Sequence, residues 1–207
     1  MKYLDELYDC PFKIGAYRSK VLSILISGKK KLYIPAEDSY LLAEAVKQYS
    51  GKRALEVGVG SGIVLEELQK NFELVVGTDL QLQSLGYARL NIRSRNILTI
   101  CCNMSAPIRS KFDLIVSNPP YLPDLSVKIQ KDLPVDGGLT GIEWSIKFLE
   151  LSLPKLEPTG KILLLLSSFS NIEKLDHCVQ KLKFAKKKVN QRKLFYETIK
   201  VFELSRI

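Results

Sequence analysis

The 207-residue chain is poor in the side chains from which many catalytic and structural sites are built. It has one histidine, His177, and four cysteines, Cys10, Cys101, Cys102 and Cys178, none of which forms a C-x-x-C pair. This scarcity argues against a histidine-rich metal site, a zinc site and a disulfide framework. We therefore predict that the protein binds no metal and works in a reducing cytoplasm, and that His177, remote from every motif, is not catalytic.

Long hydrophobic runs are missing as well. Apolar stretches such as residues 162–166 fall far short of the ~20 residues that a membrane span requires. Residues 1–10 mix acidic and polar side chains, so neither a membrane anchor nor a secretory signal is expected. The 31 basic residues outnumber the 22 acidic ones, which gives a net charge of +9. This excess fits a nucleic-acid partner, or simply a solvated basic face.

From residue 53 onward, short apolar runs alternate with amphipathic stretches. The runs are almost continuously apolar, as is typical of strands that are buried on both faces of a parallel sheet. Strands are predicted at residues 53–57, 73–78, 97–102, 112–117 and 161–166, and helices at residues 63–70, 81–92, 142–153 and 172–182. This alternation predicts a doubly wound α/β fold with a mostly parallel sheet.

The C-terminal part departs from the alternation. Residues 184–189 and 198–204 have the pattern of two strands, joined by a basic turn at residues 190–193. Two strands so close in sequence predict an antiparallel hairpin that completes a seven-stranded sheet. The lysines and arginine at positions 186–188 and 192–193 fit a solvated hairpin, or a contact for RNA or a ribosome-bound factor.

The N-terminal part departs from it too. Residues 21–34 have the pattern of a small hairpin, and a helix is predicted at residues 38–49 with Glu37 or Asp38 as its cap. We divide the chain into an N-terminal extension, residues 1–34, and a main domain, residues 35–207.

A glycine-rich segment lies between the first predicted strand and the helix after it. Glycines there let the backbone turn tightly and approach a ligand, and the helix N-terminus offers free N–H groups. The spacing is G-x-G-x-G, not the G-x-G-x-x-G of pyrophosphate-binding loops. The segment reads Glu56-Val57-Gly58-Val59-Gly60-Ser61-Gly62.

An acidic residue, Asp79, follows Thr78 at the tip of the second predicted strand. A carboxylate at this place can accept hydrogen bonds from both hydroxyls of a ribose, although it can also cap the next helix. The glycine segment and Asp79 together predict a site for an adenosine-type cofactor.

The tetrapeptide Asn118-Pro119-Pro120-Tyr121 follows the fourth predicted strand, where ligands bind in open α/β sheets. Two prolines hold the turn rigid and leave carbonyl groups free to accept hydrogen bonds. The side-chain oxygen of Asn118 and the carbonyl of Pro119 can accept both hydrogens of a planar NH2 group, on whose plane Tyr121 can stack.

These motifs make the chain resemble the class I S-adenosylmethionine-dependent methyltransferases, and among them the HemK/PrmC-like glutamine N5-methyltransferases of release factors. N-P-P-Y is shared by methyltransferases that act on amino or amide nitrogens. Three further segments resemble the eukaryotic and archaeal branch: Tyr33-Ile34-Pro35-Ala36-Glu37-Asp38-Ser39-Tyr40-Leu41-Leu42, Gly137-Gly138-Leu139-Thr140-Gly141, and Glu197-Thr198 with Val201 and Phe202.

The resemblance implies a set of roles. S-adenosyl-L-methionine is the expected cofactor, a release factor is the expected substrate, and a small zinc-binding activator subunit is the expected partner. The cofactor-binding residues would be Glu37, Asp38, Glu56, Gly58, Gly60, Gly62, Asp79, Asn103 and Asn118, and the catalytic tetrapeptide would be Asn118, Pro119, Pro120 and Tyr121. Helix capping remains an alternative role for Glu37 and Asp38. Methylation of RNA or DNA amino groups remains an alternative activity, which the N-P-P-Y motif and the basic charge also permit.

Overall fold

A seven-stranded sheet runs through the computed structural model, which describes residues 35–120 and 142–207. Its strand order is β3-β2-β1-β4-β5-β7-β6. The strands are β1 Gly51–Val57, β2 Phe72–Asp79, β3 Ile97–Cys101, β4 Phe112–Ser117, β5 Leu156–Ser167, β6 Phe184–Lys193 and β7 Thr198–Arg206. The N-terminal hairpin predicted at residues 21–34 lies outside the described residues.

Strands β1 to β5 are parallel, and β7 pairs antiparallel with both β5 and β6. This confirms the predicted α/β sheet with an antiparallel C-terminal hairpin. The turn of that hairpin was predicted wrongly. Arg192 and Lys193 belong to β6, and the connection is closed by a 2.7 Å hydrogen bond from the Leu194 N–H to the Glu197 carbonyl. Polar, charged residues have the composition of a turn, but they also suit an edge strand that faces water.

Five α-helices cover the sheet in the described part of the chain: α1 Glu37–Val46, α2 Ile63–Leu68, α3 Leu82–Asn91, α4 Glu143–Ser152 and α5 Ile172–Lys181. One hydrophobic cluster joins α1, α2 and α3 to one face of the sheet, and a second joins α4 and α5 to the other face. Central strand residues such as Leu55, Ile115 and Leu163 have no exposed surface. Burial on both faces explains their nearly continuous apolar sequence.

The expected cap of the first helix was also wrong. The N-cap position of α1 is Ala36, which makes no side-chain capping bond, and Glu37 and Asp38 fall in the first turn of the helix. Acidic side chains are favourable in a first turn because they complement the helix dipole. Asp38 is nevertheless buried, with 6% of its surface exposed, so its burial calls for a further explanation.

The topology gathers the motifs at one edge of the sheet. Because β1, β2, β3 and β4 are parallel, their carboxyl ends meet at the same edge, where ligands bind in open α/β sheets. Within the described ranges, no helix combines the length and the apolar character needed to cross a membrane.

Candidate active site

The glycine segment forms the connection from β1 to α2, and it relies on left-handed backbone. Gly58, Gly60 and Gly62 have φ angles of +85°, +52° and +86°, which other residues adopt only with strain. The N–H groups of Gly58 and Val59 both donate to the Thr78 carbonyl, at 2.8 and 3.1 Å. The loop is therefore fixed to the end of β2.

Two of these glycines have different surroundings. A Cβ on Gly62 would lie 2.7 Å from the Cβ of Ala88, so this glycine allows α2 to pack against α3. A Cβ on Gly58 would have no atom within 4 Å, so the backbone there borders open space. This space at the carboxyl end of β1 is the kind of cradle in which a ligand can approach the main chain.

Asp79, the last residue of β2, has its carboxylate tied to the loop and to the start of α3. Oδ2 accepts a 3.0 Å hydrogen bond from the Gly60 N–H, and Oδ1 accepts one of 2.7 Å from the N–H of Gln81, the N-cap residue of α3. Burial raises the pKa of this carboxyl, while these backbone donors oppose the rise. Asp79 thus stabilises the local fold and holds a carboxylate beside the glycine loop.

Glu56 is the last but one residue of β1, and only 3% of its surface is exposed. Its Oε2 atom is buried without a hydrogen-bond partner among the described residues. Burial raises the pKa of Glu56 well above its usual range, and the nearby charge of Asp79 raises it further. A buried carboxyl oxygen without a donor costs stability, and a cationic or donating ligand would remove that cost.

Asn118 lies directly after β4 and is held by α1. Its Nδ2 donates a 3.0 Å hydrogen bond to Oδ2 of Asp38, which stands 80 positions earlier in the chain. Asp38 Oδ1 accepts from the Ser39 N–H at 2.6 Å, which fixes the carboxylate in turn. The Asn118 Oδ1 atom is buried and has no hydrogen-bond partner in the described structure.

This contact settles which way the Asn118 amide points. A carboxylate only accepts hydrogen bonds, so it must face the NH2 end of the amide and leave the oxygen on the other side. An unpartnered buried acceptor is rare in folded proteins, and it costs about 1–3 kcal/mol. The arrangement presents one amide oxygen to an incoming donor.

The residues around Asn118 hold its strand in place. Ser117 Oγ donates a 2.7 Å hydrogen bond to the Val57 carbonyl and so joins the ends of β4 and β1. Pro119 is buried and Pro120 is half-buried. Tyr121 lies outside the described residues, and its stacking role stays a prediction.

Two predicted cofactor contacts are exposed. Glu37 forms an ion pair with Arg192 of β6 on the surface, and its side chain is not brought to the other site residues. Asn103 follows β3, and its carbonyl accepts a 3.2 Å hydrogen bond from the Ala106 N–H. The structure therefore brings together the glycine loop, Glu56, Asp79, Asp38 and Asn118, with Asn103 at the end of a neighbouring strand.

The site is acidic in a basic protein. In the described ranges, the two buried charged residues are Asp38 and Glu56, and both lie at this edge of the sheet. No group of His, Cys, Asp and Glu among the described residues could hold a metal ion. Because Asp38 and Glu56 are buried acceptors, this edge suits a ligand that offers donors or positive charge.

Two contacts of the site were not predicted from the sequence. One is the bond from Ser117 to Val57, and the other is the bond by which Asp38 holds Asn118. The P-A-E-D and N-P-P-Y motifs carry Asp38 and Asn118, which are 80 positions apart, so the sequence gave no signal for the contact between them.

A comparison with known families decides the class of protein. The model of the methyltransferase small domain matches residues 37–196, which is more than half of the chain. The chain belongs to this methyltransferase family. This confirms the class of enzyme expected from the sequence motifs.

Two curated relatives are named as enzymes that methylate glutamine in proteins. A Methanocaldococcus jannaschii protein with the provisional name protein N5-glutamine methyltransferase is 31% identical over 150 residues, which cover 70% of this chain and 76% of that protein. A release factor glutamine methyltransferase of Bradyrhizobium diazoefficiens is 33% identical over 126 residues, 54% of this chain. The match spans 42% of the length of the Bradyrhizobium protein.

A solved structure agrees with the fold and the relatives. The E. cuniculi Mtq2–Trm112 complex, described as responsible for methylation of the eRF1 translation termination factor, contains a similar chain with a TM-score of 0.68 and 25% identity. The similarity covers 84% of this chain and 98% of that one. The fold is thus that of a Rossmann-like methyltransferase.

Proposed function

We propose that this methyltransferase uses S-adenosylmethionine to methylate the side-chain amide of the glutamine in the Gly-Gly-Gln loop of a translation release factor. The observation that carries the proposal is Asn118, whose amide is oriented by Asp38 and whose Oδ1 is buried without a partner. The NH2 group of a glutamine supplies the missing donor. The names of the relatives, a protein N5-glutamine methyltransferase and an enzyme complex for eRF1, support the substrate class.

The hydrogen-bond acceptors of the site fit the donors and positive charges of this cofactor. Besides its carboxylate, S-adenosylmethionine has two ribose hydroxyls, an adenine amine, a sulfonium and an ammonium group, which are donors or cations. Asp79 would accept from the ribose hydroxyls, and the open space at Gly58 would admit the ligand to the backbone. The unpartnered Oε2 of Glu56 would face positive charge. In our proposal, Glu37, Asp38 and Asn103 complete the contacts expected from the sequence.

The residues of the chain orient the attacking nitrogen. When bound, S-adenosylmethionine would supply an electrophilic methyl group, with S-adenosylhomocysteine as the leaving group. An amide nitrogen is a poor nucleophile because its lone pair is delocalised into the carbonyl. Asn118 Oδ1 and the Pro119 carbonyl would accept the two N–H bonds and direct the lone pair at the methyl carbon, and such positioning can contribute ~7–11 kcal/mol.

The same acceptors favour the transition state over the ground state. As the nitrogen–methyl bond forms and the sulfur–methyl bond breaks, positive charge develops on the nitrogen. Both N–H bonds then become stronger donors, so the bonds to Asn118 and Pro119 strengthen. One of these protons is lost to solvent after transfer, which restores a neutral, methylated amide. Asp38 acts through Asn118 as a positioning residue.

A small activator subunit is part of the proposal. In the described sheet, β3 is an outer strand, and the exposed Leu80 lies beside its end, where the Leu80 carbonyl accepts a hydrogen bond from Cys101 Sγ; Leu82, two residues further on, is also exposed. The opposite edge strand, β6, has Lys187 and Lys188 exposed, and lysines discourage strand addition. The β3 edge is therefore the better candidate for a partner chain, and zinc binding by that partner is an expectation from the resemblance.

A labelling experiment tests the function. The enzyme is added, with labelled S-adenosylmethionine, to an extract from cells that lack it, so that any partner is present. We expect the label in a protease-sensitive band of the size of a release factor, and on the glutamine of its Gly-Gly-Gln loop after peptide mapping. Label that nuclease removes would instead establish an RNA or DNA amino-methyltransferase.

A further inference from the structure

The hairpin β6–β7 ends in two aromatic side chains that face water. Phe195 is 90% exposed and Tyr196 is 82% exposed, more than any other aromatic residue in the described ranges. Large hydrophobic side chains at a turn cost solubility, and polar turn residues would avoid that cost. Exposure of this degree at adjacent positions indicates a contact with another molecule.

The turn lies at the same edge of the sheet as Asn118. Strand β5 is parallel to β4, and β7 is antiparallel to β5, so the end of β4, the end of β5 and the start of β7 share one edge. With ~4.8 Å between neighbouring strands, β7 lies about 10 Å from β4. A standard protein interface covers ~800 Å² on each partner, which is wide enough to include both.

The turn is rigid enough to serve as a preformed contact. The Leu194 N–H donates to the Glu197 carbonyl at 2.7 Å, and Leu194 packs against the core. Ser167 Oγ bonds the Glu197 carboxylate, and the Ser168 N–H donates to the Thr198 carbonyl at 2.8 Å. These bonds fasten the turn to the end of β5, where the half-exposed Phe169 adds a third aromatic ring.

The ring geometry favours a folded protein partner over single-stranded RNA. Phe195 and Tyr196 meet edge to face, with centroids 4.6 Å apart and planes at 79°. Successive bases of a single strand stack on accessible parallel faces, which this pair does not offer. Two interlocked rings form a knob that suits an apolar pocket on a partner, the kind of anchor that dominates protein interfaces.

The charged side chains beside Phe195 and Tyr196 indicate what kind of partner surface would be complementary. Lys193 is exposed at the end of β6, next to the turn, and forms no ion pair with the described residues. Arg192 is already paired with Glu37 and Glu44, and the Glu197 carboxylate is bonded to Ser167. A cation directly beside two rings matches an apolar pocket with an acidic rim on the partner.

We infer that the aromatic knob of Phe195 and Tyr196 is a docking contact for the folded protein substrate, outside the pocket that receives the reacting side chain. The inference rests on the proposed function, since it concerns how the release factor reaches the site. A glutamine at the tip of a loop offers little surface of its own, and a second contact would hold the factor while the amide enters the site.

The test compares the Phe195→Ala/Tyr196→Ala variant with the wild type, each purified with its activator subunit. Substrates are the intact release factor and a short peptide that contains the Gly-Gly-Gln sequence. We expect the KM for the intact factor to rise by about tenfold or more, as for the loss of an interface hot spot. The kcat, the Kd of S-adenosylmethionine and the rate with the peptide should stay unchanged.

The control is Ile207→Ala. Ile207 is also 90% exposed, but it follows the C-terminal end of β7, on the side of the sheet where the parallel strands begin and away from Asn118. The control variant should leave every parameter unchanged, and thermal melting should show that both variants fold.

An unchanged KM in the double variant, with a wild type that methylates the factor, would overturn the docking contact alone. A wild-type complex that does not methylate the factor would overturn the proposed function. Loss of RNA binding with an unchanged KM would reassign the knob to RNA and overturn the inference.

Discussion

The carboxyl ends of β1, β2 and β4 and the hairpin β6–β7 belong to one sheet, yet they use charge in opposite ways. At the strand ends, Asp38 and Glu56 are buried and Asp79 is half-buried, although the chain has a net charge of +9. On the hairpin, Lys187 and Lys188 are exposed, where a charge costs little. Buried acids persist only where something compensates for them, so their position supports the proposed cofactor site more strongly than the overall charge does.

The two regions also differ in what a substitution would disturb. A change at the strand ends affects groups with fixed partners and low exposure, so it should alter catalysis or cofactor binding. A change on the hairpin affects solvated ion pairs, so it should alter little unless it touches the aromatic knob.

The largest effect is expected from Asn118→Ala. It removes the oxygen proposed to accept the substrate N–H, and loss of one such group typically costs about 10²–10³ in kcat. The Kd of S-adenosylmethionine, measured by calorimetry, should change little. If cofactor affinity and turnover are lost together, the role of Asn118 is structural.

Asp38→Ala tests the positioning role and should lower kcat by about 10–100-fold, because a hydrogen bond to a charged group contributes ~1.5–3 kcal/mol. Asp38→Asn keeps an acceptor for the Asn118 Nδ2 and should recover part of the loss. The matched control on the same helix is Glu44→Ala, which removes an exposed carboxylate. Equal losses in Asp38→Ala and Glu44→Ala would argue for a general effect on α1.

The strands and the glycine loop of the site could be predicted from the sequence, for a physical reason. Apolar runs locate β1 to β5 because both faces of these strands are buried, and Gly58, Gly60 and Gly62 mark a loop that only left-handed backbone can form. The hairpin was predicted with its turn four residues too early, at Asn190, since an exposed edge strand and a turn have similar composition.

Contacts between distant segments could not be predicted. Asp38 and Asn118 are 80 positions apart, and Glu37 and Arg192 are 155 positions apart. Because Glu37 and Asp38 are adjacent in one motif, the sequence predicted the same role, a cofactor contact, for both. Helix geometry turns adjacent side chains about 100° apart, so one reaches the strand end and the other reaches β6.

Asp79→Asn should weaken cofactor binding before it affects turnover. The variant keeps an oxygen for the Gln81 N–H but loses the charge and one acceptor, so we expect the Kd of S-adenosylmethionine to rise by about 10–100-fold. The kcat at saturating cofactor should fall much less. Unchanged affinity with a folded variant would exclude the ribose contact.

Cofactor affinity should depend on pH through Glu56. Because burial raises the pKa of Glu56, the folded protein without ligand keeps the proton above the usual titration range of a glutamic acid. A cationic ligand favours the ionised form, so binding should release a proton and the Kd should fall as pH rises through that interval. Glu56→Gln should flatten this dependence, and the contribution of Asp79 should remain. An equally steep profile in the variant would assign the proton to another group.

The same raised pKa has a consequence for stability. The folded state binds the Glu56 proton more tightly than the unfolded state, so the free energy of unfolding without ligand should decrease as pH rises from the ordinary glutamate range to the raised value. Denaturant unfolding at several pH values measures it. A smaller decrease in Glu56→Gln would assign this part of the pH dependence to the buried acid.

The smallest effect is expected on the hairpin, from Arg192→Ala. Arg192 pairs with Glu37 and Glu44, but all three side chains are more than a third exposed, and exposed ion pairs contribute about 0–1 kcal/mol. We expect a small loss of stability in denaturant unfolding that fades at high salt. The kcat should hold if the bond from Asp38 to Asn118 is independent of this pair. A large fall in kcat would mean that the hairpin orients the first turn of α1, and that the basic and acidic regions work as one unit.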